Sequence, residues 1–383
     1  MFTLTDELQD IARTARDFAD EHLAPCAVEW DETNHFPVDT LRKAAQLGMG
    51  GITVREDAGG SGLSRLAGTL VFEGLSTGCP AVAAYLSIHN MVATMIDTFG
   101  DTRQRDRFLP HLCSLQFLAS YCLTEPGCGS DAAALRTTAV RDGDAYVLNG
   151  VKQFISGAGT SDVYLVMART GGPGADGISA LLVEDGTPGL SFGPEERKMG
   201  WHAQPTRQVV LRDVRVPAAN LLGGEGRGFR IAMTGLNSGR LNIGACSLGG
   251  GAAALERTVA YLREREAFGK PLIDSQALQF RLADLATELE AARALLWRAA
   301  AALDADDANA VTLCAMAKRV ATDAGFAAAD GALQLHGGYG YLTEYGIEKI
   351  VRDLRVHQIL EGTNEIMRLI VARSLLAAAP RPR

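Results

Sequence analysis

The stretch Phe117–Asp131 reads FLASYCLTEPGCGSD, and the pattern of the sequence changes there. Upstream of it, apolar residues recur at helical spacing from residue 4 onward, whereas downstream of it short β-rich runs alternate with turn residues. Helical spacing returns after Leu222. We therefore predict three domains: an N-terminal α-helical domain (residues 1–116), a central β-domain (117–222) and a C-terminal helical bundle (223–383).

The clearest turn signal of the β-domain is Asn149-Gly150, which lies between the β-rich runs Tyr146–Leu148 and Val151–Phe154. Asn-Gly favours a two-residue hairpin turn because both residues tolerate positive φ. The sequence therefore predicts a β-hairpin over residues 146–154.

In the last third of the chain, apolar residues recur from Leu278 to Leu303 at alternating steps of four and three. This spacing predicts a long helix that buries one stripe of side chains against its neighbours. Ala-rich helical stretches flank it, and together they predict a close-packed helix bundle.

Composition argues against several classes of protein. Because the net charge is -8, the chain offers no basic surface to nucleic acid or to anionic membranes. No apolar run reaches the roughly 18 residues that a membrane span needs, and no Cys-x-x-Cys or His-x-x-x-His pair offers ligands for a structural metal. The N-terminus lacks a basic targeting start, and seven scattered cysteines fit a reducing compartment, so we expect a cytoplasmic protein.

Within the opening stretch, Tyr121–Asp131 ends a predicted strand in a loop with two glycines, two hydroxyls and two acids. Such a loop can bring backbone N–H groups close to a polar heterocycle or a phosphate. An ordinary glycine-rich turn is the alternative, because loops are where Gly and Ser commonly lie.

This loop resembles the flavin signature of the acyl-CoA dehydrogenases. Further blocks resemble the same family in the same order, namely FISG (154–157), MGW (199–201), REREAFG (263–269), QLHGGYG (334–340) and RDLRVHQILEGTNE (352–365). The resemblance implies an α+β multidomain fold, in which an N-terminal helical domain and a C-terminal four-helix bundle flank a central β-barrel domain. It also implies FAD as the cofactor.

The resemblance assigns FAD contacts to several groups of residues. Contacts to the isoalloxazine side are implied for Tyr121, Leu123, Thr124, Gly129, Ser130, Phe154, Ile155 and Ser156. Contacts to the pyrophosphate and adenine are implied for Arg265, Phe268, Ser275 and Gln276. Contacts from a neighbouring subunit are implied for Gln334, Leu335, Gly337 and Gly338, which makes a homotetramer the expected assembly. Contacts to FAD are also implied for three consecutive residues, Thr363, Asn364 and Glu365.

Glu361 is the candidate catalytic residue. It precedes a helical pattern, whose dipole would stabilise its anion, whereas burial against a flavin and an acyl chain would raise its pKa. An ordinary acidic residue at a helix start is the alternative. The resemblance implies that Glu361 is the base that removes the α-proton of an acyl-CoA thioester, while the flavin takes the β-hydride at N5.

Some relatives place the base immediately before an arginine on a helix, where this chain has Gly239-Arg240. Glycine cannot act as a base, which favours Glu361. Arg240 is then expected to contact the CoA end, and a buried structural arginine is the alternative. Substrate contacts are predicted for Ser130, Asn237, Ser238, Gly239, Arg240, Gly362 and Arg373.

Residues 200–207, 235–249 and 356–361 are most similar to the isobutyryl-CoA dehydrogenase branch of the family, which works in valine breakdown. We therefore expect conversion of isobutyryl-CoA to methacrylyl-CoA, with electron-transferring flavoprotein as acceptor. Other short substrates, 2-methylbutyryl-CoA or butyryl-CoA, are alternatives. So are an oxygen-using, oxidase-like enzyme and a non-catalytic FAD-binding scaffold.

Overall fold

The computed structural model describes residues 4–378, and its first part is helical. Helices begin where the sequence supplies a cap: Thr5 Oγ1 accepts from the Leu8 N–H, and Asp101 forms a capping box with Gln104. The helices of this part are α1 (Asp6–Phe18), α2 (Ala27–Thr33), α3 (Val38–Gln46), α4 (Arg65–Gly78), α5 (Pro80–Phe99) and α6 (Thr102–Cys113).

The central part is a mixed sheet. Its strands are β1 (Ala119–Cys122), β2 (Thr138–Asp142), β3 (Ala145–Ser156), β4 (Val163–Arg169), β5 (Ile178–Glu184), β6 (Leu190–Phe192), β7 (Thr206–Pro217) and β8 (Leu221–Leu222). The hydrogen-bonded order is β6-β7-β3-β2-β4-β5-β8, and β1 runs parallel to β4. β4 and β5 are buried along almost their whole length, which explains their continuous apolar sequences. The domain predicted as a barrel is thus one eight-stranded sheet. Its outer strands, β6 and β8, do not pair with each other among the described residues.

The hairpin predicted at Asn149-Gly150 is wrong. β3 runs straight through these residues, and its pairing with β7 shifts register there, which is the mark of a β-bulge. Gly150 has a φ of 153°, and the Asn149 side chain bonds to Asp213 on β7. The tight turn lies instead at Gly143 (φ 62°), where β2 meets β3. Asn-Gly suits either structure, and the long-range pairing with β7 decides between them.

The last part of the chain is helical again. α7 (Gly228–Glu264) is followed by a two-residue pair of strands, β9 (Glu266–Ala267) and β10 (Lys270–Pro271), and then by α8 (Gln276–Asp304), α9 (Ala310–His336), α10 (Ile347–Arg355) and α11 (Asn364–Ala378). α7 and α9 pack closely where two glycines face each other. A Cβ on Gly251 would lie only 2.9 Å from the Gly325 Cα. Only the second half of the apolar stripe predicted on α8 is buried, whereas Leu278 and Leu285 stay partly exposed.

The three parts share apolar cores. One core joins Met91 and Met95 of α5, Val163 of β4, Ile178 of β5 and Ile231 of α7. Helix gives way to strand between residues 113 and 119, and strand to helix between 222 and 228, while the domain limits themselves stay predictions. Among the described residues, no helix has both the length and the apolar content needed to cross a bilayer. No group of three or more metal-ligating side chains occurs in that same range.

We predict that Gly150→Ala lowers the free energy of unfolding by roughly 1 to 3 kcal/mol, because the new Cβ would lie 2.8 Å from the Thr137 Cα and would strain a positive φ. Chemical denaturation measures the effect. Gly172→Ala is the matched control, since a Cβ there meets no atom within 4 Å. Equal stability of the two variants would contradict the bulge.

Candidate active site

Glu361 lies in a tight turn between α10 and α11. Its φ is 54° and that of Gly362 is 88°, so two consecutive residues take the left-handed conformation. Thr363 closes the turn by capping α11, because its Oγ1 accepts from the Ile366 N–H (3.3 Å). A non-glycine residue at positive φ costs free energy and persists where its surroundings impose it, often at functional sites.

The Glu361 carboxylate points at α7. A Cβ on Gly239 would overlap with Oε2 of Glu361 and would lie 2.8 Å from Cδ of the same residue. It would also lie 3.0 Å from Sδ of Met91. Glu361 as a residue is partly exposed, but its Oε2 is buried and has no hydrogen-bond partner among the described residues. A side chain at position 239 and the carboxylate of the candidate base Glu361 would therefore occupy the same space, which only glycine at 239 leaves free.

Two further buried polar atoms near Glu361, Tyr121 Oη and Arg240 Nε, also have no partner among the described residues. Arg240 donates through Nη1 to Asn237 Oδ1 (2.8 Å), and the residue is 4% exposed. Native proteins rarely leave buried polar groups unsatisfied, so a cluster of three marks a place for a polar ligand. Contact of Arg240 with the CoA end stays a prediction.

Burial raises the pKa of Glu361 to about 7, against the opposing effect of the positive charges of Arg240 and Lys318. The same burial holds the pKa of the Tyr121 hydroxyl well above its ordinary value and lowers that of Arg240. A carboxyl group with a pKa near 7 is matched to proton abstraction at neutral pH.

Lys318 and Met91 were not identified from the sequence. Lys318 is fully buried in α9, and its Nζ donates to the carbonyl of Gly362 (2.8 Å) and to Asn364 Oδ1 (3.0 Å). The sequence could have predicted that Lys318 is buried, because it lies on the same apolar stripe as Cys314 and Ala321. The approach of Met91 to Glu361 is set by the packing of α5 on α7, which no local pattern reports.

The loop after β1 is held from behind by a buried ion pair. Lys152 Nζ donates to the Glu125 carboxylate (2.8 Å) and to the carbonyl of Leu123 (3.1 Å). Glu125 also accepts from the backbone N–H groups of Arg136 and Thr137 (2.7 and 2.9 Å). Gly129 and Ser130 are exposed at the loop end. A fully bonded anchor fixes the loop backbone while it leaves the loop surface open.

The structure brings the two predicted flavin segments together. The Gln153 N–H donates to the carbonyl of Thr124 (2.8 Å), so Thr124 lies next to Phe154. Phe154 has a φ of 59° and an exposed side chain, whereas Ile155 is buried and Ser156 partly buried. An exposed aromatic ring beside open loop backbone and an unpartnered tyrosine hydroxyl fit the planar, polar face of a flavin.

The remaining predicted cofactor residues form a surface at the start of α8 and the end of α9. Phe268 is fully exposed at a φ of 53°, and the Arg265 guanidinium lies 5.3 Å from the ring centre of Tyr339. Cβ atoms on Gly337 and Gly338 would meet nothing within 4 Å. Glu365, a predicted cofactor contact, and Arg373, a predicted substrate contact, lie on α11 and are exposed. Near α8 and α9, Leu335 is buried, Ser275 is partly buried, and Gln276 and Gln334 are exposed. An extended ligand would find open backbone here.

A hydrogen-bond network ties the base turn to the central sheet. The indole N–H of Trp201 donates to His357 Nε2 (3.3 Å), and burial lowers the pKa of His357 to about 3, so the ring is neutral. Its Nδ1 must then carry the hydrogen and donate to Ser247 Oγ (2.7 Å). The Trp201 N–H donates to Asp353 on α10 (2.6 Å).

Known proteins resemble this chain along nearly its whole length. Models of the N-terminal, middle and C-terminal domains of acyl-CoA dehydrogenase match residues 5–116, 120–214 and 226–376. Mitochondrial isobutyryl-CoA dehydrogenase of Bos taurus is 55% identical over 97% of this chain and 90% of that protein.

Two solved structures are similar along their whole length. Butyryl-CoA dehydrogenase of Megasphaera elsdenii has a TM-score of 0.95 at 40% identity, over 98% of this chain and 100% of that one. A chain from the structure reported as electron transferring flavoprotein of Acidaminococcus fermentans reaches 0.96 at 40% identity, over 98% and 99%. These matches confirm the predicted three-domain fold class, and the chain belongs to the acyl-CoA dehydrogenase family.

Proposed function

We propose that this enzyme desaturates isobutyryl-CoA to methacrylyl-CoA with FAD as cofactor, a reaction of valine catabolism. The observation that carries the proposal is the carboxylate of Glu361, which occupies the space that Gly239 leaves free. Its Oε2 is buried without a hydrogen-bond partner among the described residues, and burial raises its pKa to about 7. The 55% identity to a bovine isobutyryl-CoA dehydrogenase supports the choice of acyl group.

Glu361 is the proposed base. The α-C–H of a thioester is a weak acid, so its removal needs a positioned carboxylate and a hydrogen bond to the carbonyl that strengthens as negative charge develops. We assign that hydrogen bond to the backbone N–H of Glu361. Once protonated, the Glu361 carboxyl is neutral, which its buried setting favours. When bound, FAD supplies the acceptor for the hydride that leaves the β-carbon.

The open loop backbone at Gly129 and Ser130 and the exposed ring of Phe154 support binding of the flavin at this face of the sheet. Arg265 and Phe268, with Ser275 and Gln276, would hold the pyrophosphate and adenine. Gln334, Leu335, Gly337 and Gly338 would reach the cofactor of a neighbouring subunit. The amide of Asn364 is occupied by α9, so its contact with FAD is assigned to its backbone.

The packing of α5 on α7 supports a short acyl chain. A Cβ on Gly235 would overlap with Cε of Met95, and Met91 lies against Gly239 one turn further along α7. Two methionines therefore fill the space between the helices that a longer chain would need. Butyryl-CoA and 2-methylbutyryl-CoA differ from isobutyryl-CoA by little in volume, and one methylene changes selectivity by only about 1 to 3 kcal/mol.

We predict that Glu361→Gln yields folded, yellow protein in which isobutyryl-CoA no longer bleaches the flavin under anaerobic conditions. For the unaltered enzyme, kcat/KM should fall tenfold per unit of pH below about 7, because the base acts as the anion and its pKa is raised to about 7. Stopped-flow absorbance across pH measures both.

Undiminished bleaching in Glu361→Gln would refute the assignment. Rapid reoxidation of the reduced enzyme by air would favour the oxidase-like alternative. Colourless protein that cannot be reconstituted with FAD would favour the scaffold alternative.

Gly239→Ala should remove activity with little loss of stability, because the added methyl displaces the tip of the Glu361 side chain rather than backbone. A displacement of about 1 Å can cost roughly 100-fold in rate. The same substitution at Gly250, also on α7, is the matched control, since a Cβ there would meet the side chains of Pro80 and Leu354 at 3.0 to 3.3 Å and not the base. The measurements are the rate of flavin reduction and the melting temperature of both variants. An active Gly239→Ala enzyme would contradict the close contact between position 239 and the Glu361 carboxylate.

We also propose a homotetramer. The first half of α8 is supported on one side only and carries Phe280, which is 61% exposed, while Tyr341 is 79% and Phe268 fully exposed. Exposed apolar patches of this kind mark protein interfaces.

Phe280→Arg should therefore weaken assembly, because it places a charge in an apolar contact. Sedimentation over a range of concentrations should detect smaller species. Val140→Arg, at an exposed apolar position of the sheet, is the control that should keep the native mass. An unchanged assembly in Phe280→Arg would argue against α8 as the interface.

Electron-transferring flavoprotein is the proposed acceptor, and the match to a chain of a structure reported for that protein supports it. All seven cysteines are free thiols, which supports a reducing compartment, and we propose the cytoplasm.

A further inference from the structure

Three lysines are buried among the described residues, and one of them lacks a carboxylate partner. Lys152 pairs with Glu125 at 2.8 Å and Lys349 with Asp353 at 2.6 Å. Lys318 is equally buried, but both of its hydrogen bonds go to neutral acceptors, the Gly362 carbonyl and Asn364 Oδ1. A buried ammonium without a counter-charge is costly, so this placement needs an explanation.

Both acceptors belong to the turn that carries the base. Asn364 Nδ2 donates to Thr322 Oγ1 (3.0 Å) and Asp323 Oδ1 (2.8 Å), which fixes the amide so that its Oδ1 faces Lys318. The left-handed turn at Glu361 and Gly362 is thereby fastened to α9 at the residue that directly follows the base. Lys318 thus hydrogen-bonds to the backbone beside Glu361 and not to the Glu361 carboxylate.

Charged and titratable groups surround the turn. Asp323 pairs with Arg319 (3.6 Å) and Arg368 (3.8 Å), and His357 faces Lys318 as a neutral ring. Arg240 on α7 and Lys318 on α9 are the cations that act on Glu361. Asp323 on α9 and Glu365 on α11 also act on Lys318, and Glu365 is exposed to solvent. Tyr121 on β1 faces Glu361 as a neutral hydroxyl. Of the anions that act on Lys318, Glu361 has the largest effect.

We propose that Lys318 is a positioning residue that keeps the Glu361 carboxylate ionised and oriented before the substrate binds. It holds the turn through the Gly362 carbonyl and supplies a buried positive charge that the hydrogen-bonded backbone keeps at a fixed place. The proposal rests on the function proposed above for Glu361. Burial lowers the pKa of Lys318 to about 8, while the charge of Glu361 opposes that shift, so each group favours the charged form of the other.

Three variants separate the charge from the hydrogen bond. Lys318→Met removes both, Lys318→Gln can still donate a hydrogen bond but carries no charge, and Lys318→Arg keeps the charge. Thr322→Val is the matched control, because it removes a partner of Asn364 and loosens the turn without a change of charge. Two quantities are measured for each, the pH dependence of flavin reduction and the pH at which the Glu361 carboxyl titrates in infrared difference spectra, assigned by its absence in Glu361→Gln.

In Lys318→Met and Lys318→Gln, the loss of positive charge should raise the pKa of Glu361. The midpoint of the pH dependence of flavin reduction and the midpoint of the carboxyl titration should then both move upward by about one pH unit or more. Lys318→Arg and Thr322→Val should keep both midpoints near those of the unaltered enzyme, even where the melting temperature falls. If Lys318→Met does not fold, Lys318→Gln gives the same comparison.

Unmoved midpoints in Lys318→Gln, or an equal shift in Lys318→Gln and Lys318→Arg, would overturn the proposal. Failure of the proposed function would look different, because Glu361→Gln would then retain activity whatever the Lys318 variants do. The infrared titration reports on the carboxyl group directly, so it tests Lys318 independently of turnover.

Discussion

Burial of an ionisable carboxylate is the constraint on which the rest of this structure depends. A carboxylate removed from water loses several kcal/mol of solvation, and Oε2 of Glu361 has no hydrogen bond among the described residues to offset that loss. Two buried cations, Arg240 and Lys318, limit the resulting rise in pKa, so the group stays near 7. In the proposed reaction, proton transfer from the substrate converts a costly anion into a neutral acid, which the same surroundings favour.

That constraint explains why each part of the fold is present at the site. α7 contributes a glycine at the point where any side chain would displace the Glu361 carboxylate, and α9 fastens the turn at Glu361 and Gly362 through Lys318. The sheet supplies the facing wall through a loop fixed by the Glu125–Lys152 pair. Trp201 and His357 join the sheet to the turn. The left-handed Glu361 is therefore held from several directions, which is how a strained backbone persists.

Local sequence patterns predicted the parts of this arrangement that depend on local interactions. Helices such as α5 and α9 follow from apolar spacing. Glu361 and the flavin loop were identified through the resemblance to the family, because composition alone left an ordinary acidic residue and a glycine-rich turn as alternatives. Asn149-Gly150 was misjudged because pairing with β7, more than 60 residues away, turns a hairpin signal into a bulge. Lys318, Lys152 and Met91 escaped for a similar reason, since their roles depend on which residues the packing of distant helices and strands brings against them. Half of the α8 stripe stays exposed because apolar spacing shows which face of a helix is apolar but not what packs against that face.

The proposed role of Glu361 can be checked in a crystal structure of the enzyme with FAD and an unreactive thioether analogue of isobutyryl-CoA. The quantity to measure is the distance from the Glu361 carboxylate oxygens to the carbon that corresponds to the α-carbon. We predict about 3 to 3.5 Å, with the flavin ring on the opposite face of the acyl group. A Glu361 side chain that points to solvent, or another carboxylate closer to that carbon, would contradict it.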